Sequence, residues 1–364
     1  MFSNETDYIA GGDFMNLFFI TLFVGAVGGL IFKKFRIPGA LIIGSIVFVS
    51  IFNIFFDLAF VYKEGRLLAQ VIAGAFIGAG ISKAEIIQMK YLAKPASIVI
   101  GGLLILSIII GTIIYFISPM DLITSLLSAV PGGMTYMPLI SDEIGADSSK
   151  VAIMQFVRMM FGIGALPYII KFFGKNTKKI PPTEKLQELD TIIKETHTVN
   201  DAMITLGVAL FSGYVGNISG VPSGTLTFAL FSIIILKLNT KKAFVPKRVK
   251  QFAQILAGSY IGSGIDMNDI LELKYLVLPI IVLIIGYFTA CILIGKILEK
   301  YSTFTLEEGM FAATPAGASD MALLLEDFGI HNKDIIVIQI LRLMIVISIF
   351  PQVMMFIVSM VESL

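Results

Sequence analysis

Pro131–Met159 reads PGGMTYMPLISDEIGADSSKVAIMQFVRM, and Pro315–Leu343 repeats its pattern as PAGASDMALLLEDFGIHNKDIIVIQILRL. Pro131 and Pro315 are 184 positions apart, and the same offset relates Gly133 to Gly317, Gly145 to Gly329, Gln155 to Gln339 and Arg158 to Arg342. Upstream it relates Gln70 to Gln254, Gly74 to Gly258, Gly78 to Gly262, Gly80 to Gly264 and Pro95 to Pro279; downstream it relates Pro167 to Pro351. The chain is therefore a duplicated unit. Each copy carries an apolar segment broken by Pro and Gly, followed by an apolar helix with a lone arginine.

Composition sets the solvent of that unit. Of 364 residues, 56% are hydrophobic and only 15% charged, which excludes an ordinary soluble domain. Mean hydropathy is +0.90. Apolar runs long enough to cross about 30 Å of hydrocarbon recur along the chain. The net charge of +1 says nothing about partners. Met1–Asp13 carries Glu5, Asp7 and Asp13 and no basic residue, so the first apolar run reads as a retained span rather than a cleaved leader. A lone Cys291 in an apolar run forms no internal disulfide.

In the first copy, spans are expected near Met15–Phe32, Gly39–Val61, Leu67–Ile81, Tyr91–Ile117 and Val151–Phe173. Between the last two lies Asp121–Ala146, apolar but interrupted at Pro131-Gly132-Gly133. Proline lacks a backbone donor and glycine weakens a helix, so two half-helices meeting at a vertex are expected. The second copy gives Asp201–Ile218, Gly224–Leu238, Phe252–Ile265, Tyr275–Leu298 and Ile335–Met360, with its broken segment at Thr305–Phe328.

Basic residues, which favour cytoplasmic loops, decide how these segments thread. If both broken segments are re-entrant and the N-terminus is outside, each copy has five spans and the second is inserted upside down. Twenty-one of the 27 basic residues then fall inside, four fall outside (Lys63, Arg66, Lys150 and Lys274), and Arg158 and Arg342 lie within spans. Corresponding loops swap character: KKFR in the first copy faces the uncharged GNISG of the second, and YKEGR faces KLNTKKAFVPKRVK. The expected fold is an all-α polytopic membrane protein of two inverted repeats of five transmembrane helices, each with a re-entrant or broken helical segment. Residues 1–173 form the first membrane repeat, 174–200 a cytoplasmic linker in which Thr183 caps a short helix, and 201–364 the inverted second repeat.

Broken helices at equivalent positions of inverted halves point to a transporter's binding site. Irregular backbone at membrane depth is tolerated only where protein buries it or where it lines a watery cavity. The candidate substrate-binding residues are Pro131, Gly132, Gly133, Thr135 and Tyr136 at the first vertex, and Pro315, Gly317, Ser319 and Asp320 at the second. Half-helices running on from Met134 and Ala318 would aim their N-terminal N–H groups at a solute. Gln155 and Arg158 complete the first set, Gln339 and Arg342 the second. An arginine at the bilayer centre costs roughly 2.5–3.5 kcal/mol unless partnered. Each could bind a carboxylate-like anion, tie the ends of the re-entrant half-helices, or pair with Asp142, Glu143, Glu326 or Asp327. Asp320, with no counterpart carboxylate at Tyr136, is either a proton or Na⁺ site or an N-cap.

The glycine series at 74, 78, 80 and 258, 262, 264 reads as close helix packing. One cysteine and two separated histidines, His197 and His331, offer no metal cluster, and there is no nucleophile elbow or P-loop. No catalysis, cofactor or metal is expected.

The paired PGG…GAD…VA..Q..R and P.GA..M…G……I..Q..R blocks resemble the AbrB-type integral membrane protein family, whose members are often labelled ammonia monooxygenases or AbrB family regulators. That family resembles the cation-antiporter and anion-transporter superfamily of inverted repeats with interrupted helices. The expected location is a bacterial plasma membrane, multi-pass, and the placement of basic residues puts both termini outside. The resemblance implies secondary transport, with sites at the interrupted segments. The arginines and half-helix N-termini make a small, anionic organic solute coupled to H⁺ or Na⁺ the expected cargo, with a ligand-binding sensor without transport as the rival reading. Expected partners are membrane lipid, the small-molecule solute, the coupling ion and a second copy in a homodimer; nucleic acid is not among them.

Overall fold

A computed structural model describes residues 11–35, 37–173, 198–240, 242–330 and 332–363. The linker, its Thr183 cap, His197 and His331 lie outside the described residues. All regular structure among the described residues is helical. The first half contains α1 (Gly11–Lys34), α2 (Ala40–Phe56), α3 (Lys63–Ala79), α4 (Lys83–Tyr91), α5 (Ala93–Ile117), α6 (Leu122–Ala129), α7 (Met137–Glu143), α8 (Ser148–Met160) and α9 (Leu166–Phe173). The second contains α10 (Val199–Ile218), α11 (Gly224–Thr240), α12 (Lys247–Ser263), α13 (Met267–Glu272), α14 (Val277–Tyr301), α15 (Leu306–Ala313), α16 (Ala318–Asp327), α17 (Asp334–Ser348) and α18 (Phe350–Glu362).

Five helical stretches are long and apolar enough to cross a membrane, and seven if two bent pairs each count as one span. The bent pairs are α3 with α4, at 76°, and α17 with α18, at 40°. Ten spans are expected from the sequence. The difference lies in three short helices: α2, α11 and α12 have 17 residues each, roughly 25 Å, less than the hydrocarbon thickness. Outward faces are apolar as lipid requires: Phe19, Phe23 and Leu30 on α1, Ile105 and Phe116 on α5, and Phe211 on α10 are exposed. The chain is a helical, multi-pass membrane protein.

Glycine sets how the two halves interlock. A Cβ at Gly74 on α3 would lie 2.5 Å from Leu226 O on α11, and one at Gly258 on α12 would lie 2.5 Å from Ile42 O on α2. One turn on, Gly78 meets Leu230 O at 2.6 Å and Gly262 meets Ile46 O at 2.7 Å. These four glycines let backbones touch, as their spacing suggests. Gly80 and Gly264 do a different job and close the C-terminal ends of α3 and α12.

The last long helix of each half is also broken at matching points. Proline removes the N–H that would bond the carbonyl four residues back. After α8 the chain makes a π-helical turn, Phe161–Ala165, just before Pro167. In the second half the break before Pro351 bends α17 from α18. The orphaned carbonyl of Ile347 is recovered by Ser223 Oγ, which donates to it at 2.7 Å.

Candidate functional site

Both broken segments form as two short helices meeting at a non-helical vertex. Their first halves start at capped residues: Asp121 accepts from the Thr124 N–H, and Thr305 forms a capping box with Glu308. Their second halves end at left-handed glycines, Gly145 with φ 80° and Gly329 with φ 70°. There the N–H groups of Ala146 and Ile330 reach back to Ser141 O and Leu325 O, both at 2.8 Å. The halves differ after the vertex. α16 begins at Ala318 as expected, whereas Met134–Tyr136 forms a turn and α7 begins only at Met137.

Each vertex is held by the glutamine and arginine of the helix that follows. Arg158 donates from Nη1 to Val130 O at 2.6 Å and from Nη2 to Gly132 O, and Gln155 Nε2 donates to Leu127 O at 3.1 Å and Val130 O at 3.0 Å. Arg342 donates from Nη1 to Thr314 O and from Nη2 to Ala316 O, both at 2.7 Å. Gln339 Nε2 reaches Phe311 O at 3.1 Å and Thr314 O at 3.3 Å. Every one of these acceptors in the second half is the repeat partner of one in the first. Pro131 and Pro315 place the carbonyls where no helical N–H can answer them, and the guanidinium forks supply the missing donors.

The four clamp side chains are at most 5% exposed. Among the described residues neither arginine has a carboxylate within ion-pair distance; Asp142 pairs with Arg66 instead, and Glu143 accepts from Gln70 at 2.8 Å. Pairing of the arginines with those two acids, one of the sequence alternatives, is therefore not what forms: both acids sit past the vertex, beside α3. Arg158 Nε, Arg342 Nε, Gln155 Oε1 and Gln339 Oε1 are buried with no partner among the described residues. Tyr287 of α14 stands beside Arg158, its ring centre 5.8 Å from the Arg158 guanidinium carbon and its hydroxyl donating to Ala129 O at 2.8 Å. Its repeat partner is Leu103, so the duplication gave no hint of it.

Thr135 and Tyr136 line a cavity between α3 and α12, with Phe76, Lys250 and Gln254 among its walls. Its volume is about 10 Å³, room for roughly one water. Pro131 and Gly132 are buried behind it and Gly133 is half-buried; Pro315 is buried and Gly317 exposed. Ser319 and Asp320 lie in the first turn of α16, and their side chains are outside the description. The two vertices thus share one clamp design, and among the described residues it is the first that lines the cavity.

The family model described as "Transition state regulatory protein AbrB" matches residues 59–358, which include both broken segments and both clamps. The chain belongs to the AbrB family. A similar family member is the Escherichia coli (strain K12) protein named "Putative regulator AbrB", 23% identical over 331 residues, covering 90% of this chain and 92% of that one. Another is "Uncharacterized protein YhjN" of Bacillus subtilis (strain 168), 21% identical over 301 residues, covering 78% of this chain and 76% of the relative.

The sequence reading overlooked the polar residues flanking the cavity. Gln70 and Gln254 stand out as a duplicated polar pair in apolar helices, a signal that could have placed them at the site. Arg66, Tyr260 and Lys250 look like ordinary ends of spans.

Proposed function

We propose that this AbrB-family protein is a secondary transporter of a small, anionic organic solute, coupled to H⁺ or Na⁺, built from two inverted repeats with the N- and C-termini outside. The observation that carries the reading is the duplicated clamp, and the packing of the repeat-related helices α5 and α14 supports the inverted arrangement. Gly102 of α5 packs against Ile294 of α14, and Gly286 of α14 packs against Ile110 of α5. Later positions on one helix meet earlier positions on the other, so this repeat-related pair is antiparallel. Likewise Arg66, near the start of α3, and Tyr260, near the end of α12, bind the same carboxylate of Asp142.

Contacts between loops support the threading. Lys150 bridges Asp147 at 2.9 Å and Glu272 at 2.6 Å, joining two stretches assigned to the outside. Gln88 bonds Asp334 at 2.5 Å, joining two assigned to the inside. A clamped break in each half gives a rigid irregular backbone at membrane depth, the arrangement that binds solutes in inverted-repeat carriers. In this reading Arg158 and Arg342 hold the vertices, and solute contact falls to Thr135, Tyr136, Ser319 and Asp320 in a cavity that must widen to admit it. Lys250 at its wall supplies the positive charge that favours an anion.

The relatives named as regulators favour one alternative, a sensor that binds the solute without moving it. Purified protein screened for thermal stabilisation by mono-, di- and tricarboxylates, then tested for uptake of the stabilising acid into proteoliposomes under an H⁺ or Na⁺ gradient, separates the readings. Saturable gradient-driven uptake supports transport. Stabilisation without uptake supports the sensor, and stabilisation by no acid overturns the anion assignment.

A further inference from the structure

The first broken segment is latched to α3 and α12 by two carboxylates. Asp142 accepts from Arg66 at 2.5 Å and from the Tyr260 hydroxyl at 2.8 Å. Glu143 accepts from Gln70 at 2.8 Å and lies close to the backbone N–H of Ser223, the residue before α11. The duplication offset maps this whole set onto a second one. Arg66 becomes Lys250, Gln70 becomes Gln254, Asp142 becomes Glu326, Glu143 becomes Asp327, Tyr260 becomes Phe76 and Ser223 becomes Gly39.

The second set is present but apart. Lys250 and Gln254 line the cavity beside Phe76, with Lys250 Nζ 3.9 Å from the centre of that ring. Glu326 and Asp327 end α16 and are exposed. Gly39 has the same left-handed backbone as Ser223, φ 66° against 55°, so it can present its N–H in the same way. A basic residue, a glutamine and a helix start thus recur in the second set, while the acidic pair of matching order ends α16, which packs on α17 and on the π-helical turn Phe161–Ala165.

We propose that Glu326 and Asp327 form a second latch, docking on Lys250, Gln254 and Gly39, and that the two latches engage in alternation. The inference rests on the inverted-repeat part of the proposed function and not on transport. Both latches draw a half-helix onto the same two helices, α3 and α12, from opposite ends of the cavity between them. The first latch holds in the described state for a chemical reason. Tyr260 adds a hydroxyl bond to the carboxylate, and Phe76, its counterpart, has none to give. Closing the second latch would cover the cavity at Lys250, and opening the first would release the half-helix that carries Asp142.

The test uses the full-length protein in lipid vesicles with Cys291→Ala as background. Cysteine pairs replace Arg66 and Asp142, or Lys250 and Glu326, and a short bifunctional thiol reagent is applied. Both pairs are expected to cross-link, but never both in one molecule of a variant carrying all four. Tyr260→Phe removes one bond to a charged acceptor, so it is expected to raise the 250–326 cross-linking rate roughly ten- to hundred-fold. No 250–326 product in either background, or both products in one molecule, overturns the proposal. A second measurement needs no cysteines: hydrogen exchange across Gly317–Phe328 is expected to slow in Asp142→Asn, and unchanged exchange there also overturns it. Alternating cross-links without solute uptake would keep the latches and remove transport; uptake without a 250–326 product would do the reverse.

Discussion

Arg342 Nη1 donates to the carbonyl of Thr314 at 2.7 Å, and Arg158 makes the equivalent bond to Val130 at 2.6 Å. A lysine keeps the charge but is a point donor on a flexible stem, and cannot answer two carbonyls two residues apart as the planar fork does. Arg158→Lys and Arg342→Lys are therefore each expected to lower apo stability by about 1.5–3 kcal/mol, the worth of one charge-assisted hydrogen bond. Arg→Gln at either position is expected to lower it further. Thermal unfolding of the purified protein checks this, and unchanged melting in both lysine variants would remove the clamp.

The glycine crossings make a paired prediction. A methyl at Gly74 or Gly258 would sit 2.5 Å from a backbone oxygen, so the helices must part. Gly74→Ala and Gly258→Ala are each expected to cost about 1–3 kcal/mol, by similar amounts because the contacts are repeat-related. Gly101→Ala, with nothing within 4 Å of the added methyl, is the control and is expected to be neutral or stabilising.

Much of this was legible in the chain because duplication turns weak local signals into pairs. A lone Pro-Gly break is ordinary; Pro131 and Pro315 at one offset, each followed at fixed distance by Gln and Arg, mark two matching sites in the sequence, with a tie on the half-helices as one of the roles open to each arginine. What stayed hidden breaks the repeat. Tyr287 replaces Leu103, Ser223 replaces Gly39 and Tyr260 replaces Phe76, so each side chain acts in one half only. The bend between α17 and α18 was also missed, since an apolar run with one proline reads as a single span. Partner choice was out of reach as well. Whether Asp142 finds Arg66 or Arg158 depends on how α7 lies against α3, which periodicity does not encode.

Ser223 and Pro351 give a third prediction. Ser223 Oγ satisfies Ile347 O because Pro351 cannot. Ser223→Ala alone is expected to cost about 0.5–1.5 kcal/mol. In a Pro351→Ala background the new N–H competes for the same carbonyl, so the serine should matter less. A double-mutant cycle measured by thermal unfolding reads that difference as a coupling energy. Full additivity of the two changes would mean that the serine is not answering the proline's missing donor.

The threading itself can be tested at two exposed asparagines that lie on opposite sides in the inverted arrangement. Asn239 lies in the last turn of α11 beside the basic stretch Lys237–Lys250, while Asn268 lies after α12 in the first turn of α13, between Asp266 and Asp269. Basic loops stay on the cytoplasmic side, and one crossing of α12 separates the two positions. With Cys291→Ala as background, Asn268→Cys is expected to react with an impermeant thiol reagent applied to intact cells. Asn239→Cys is expected to react only after permeabilisation. Parallel repeats would carry the first-half assignment across unchanged, putting the loop at Asn239 on the same side as its counterpart at Lys63 and Arg66. Labelling of Asn239→Cys from outside intact cells would therefore overturn the inverted arrangement, and with it the reading of α3 and α12 as one helix used twice in opposite directions.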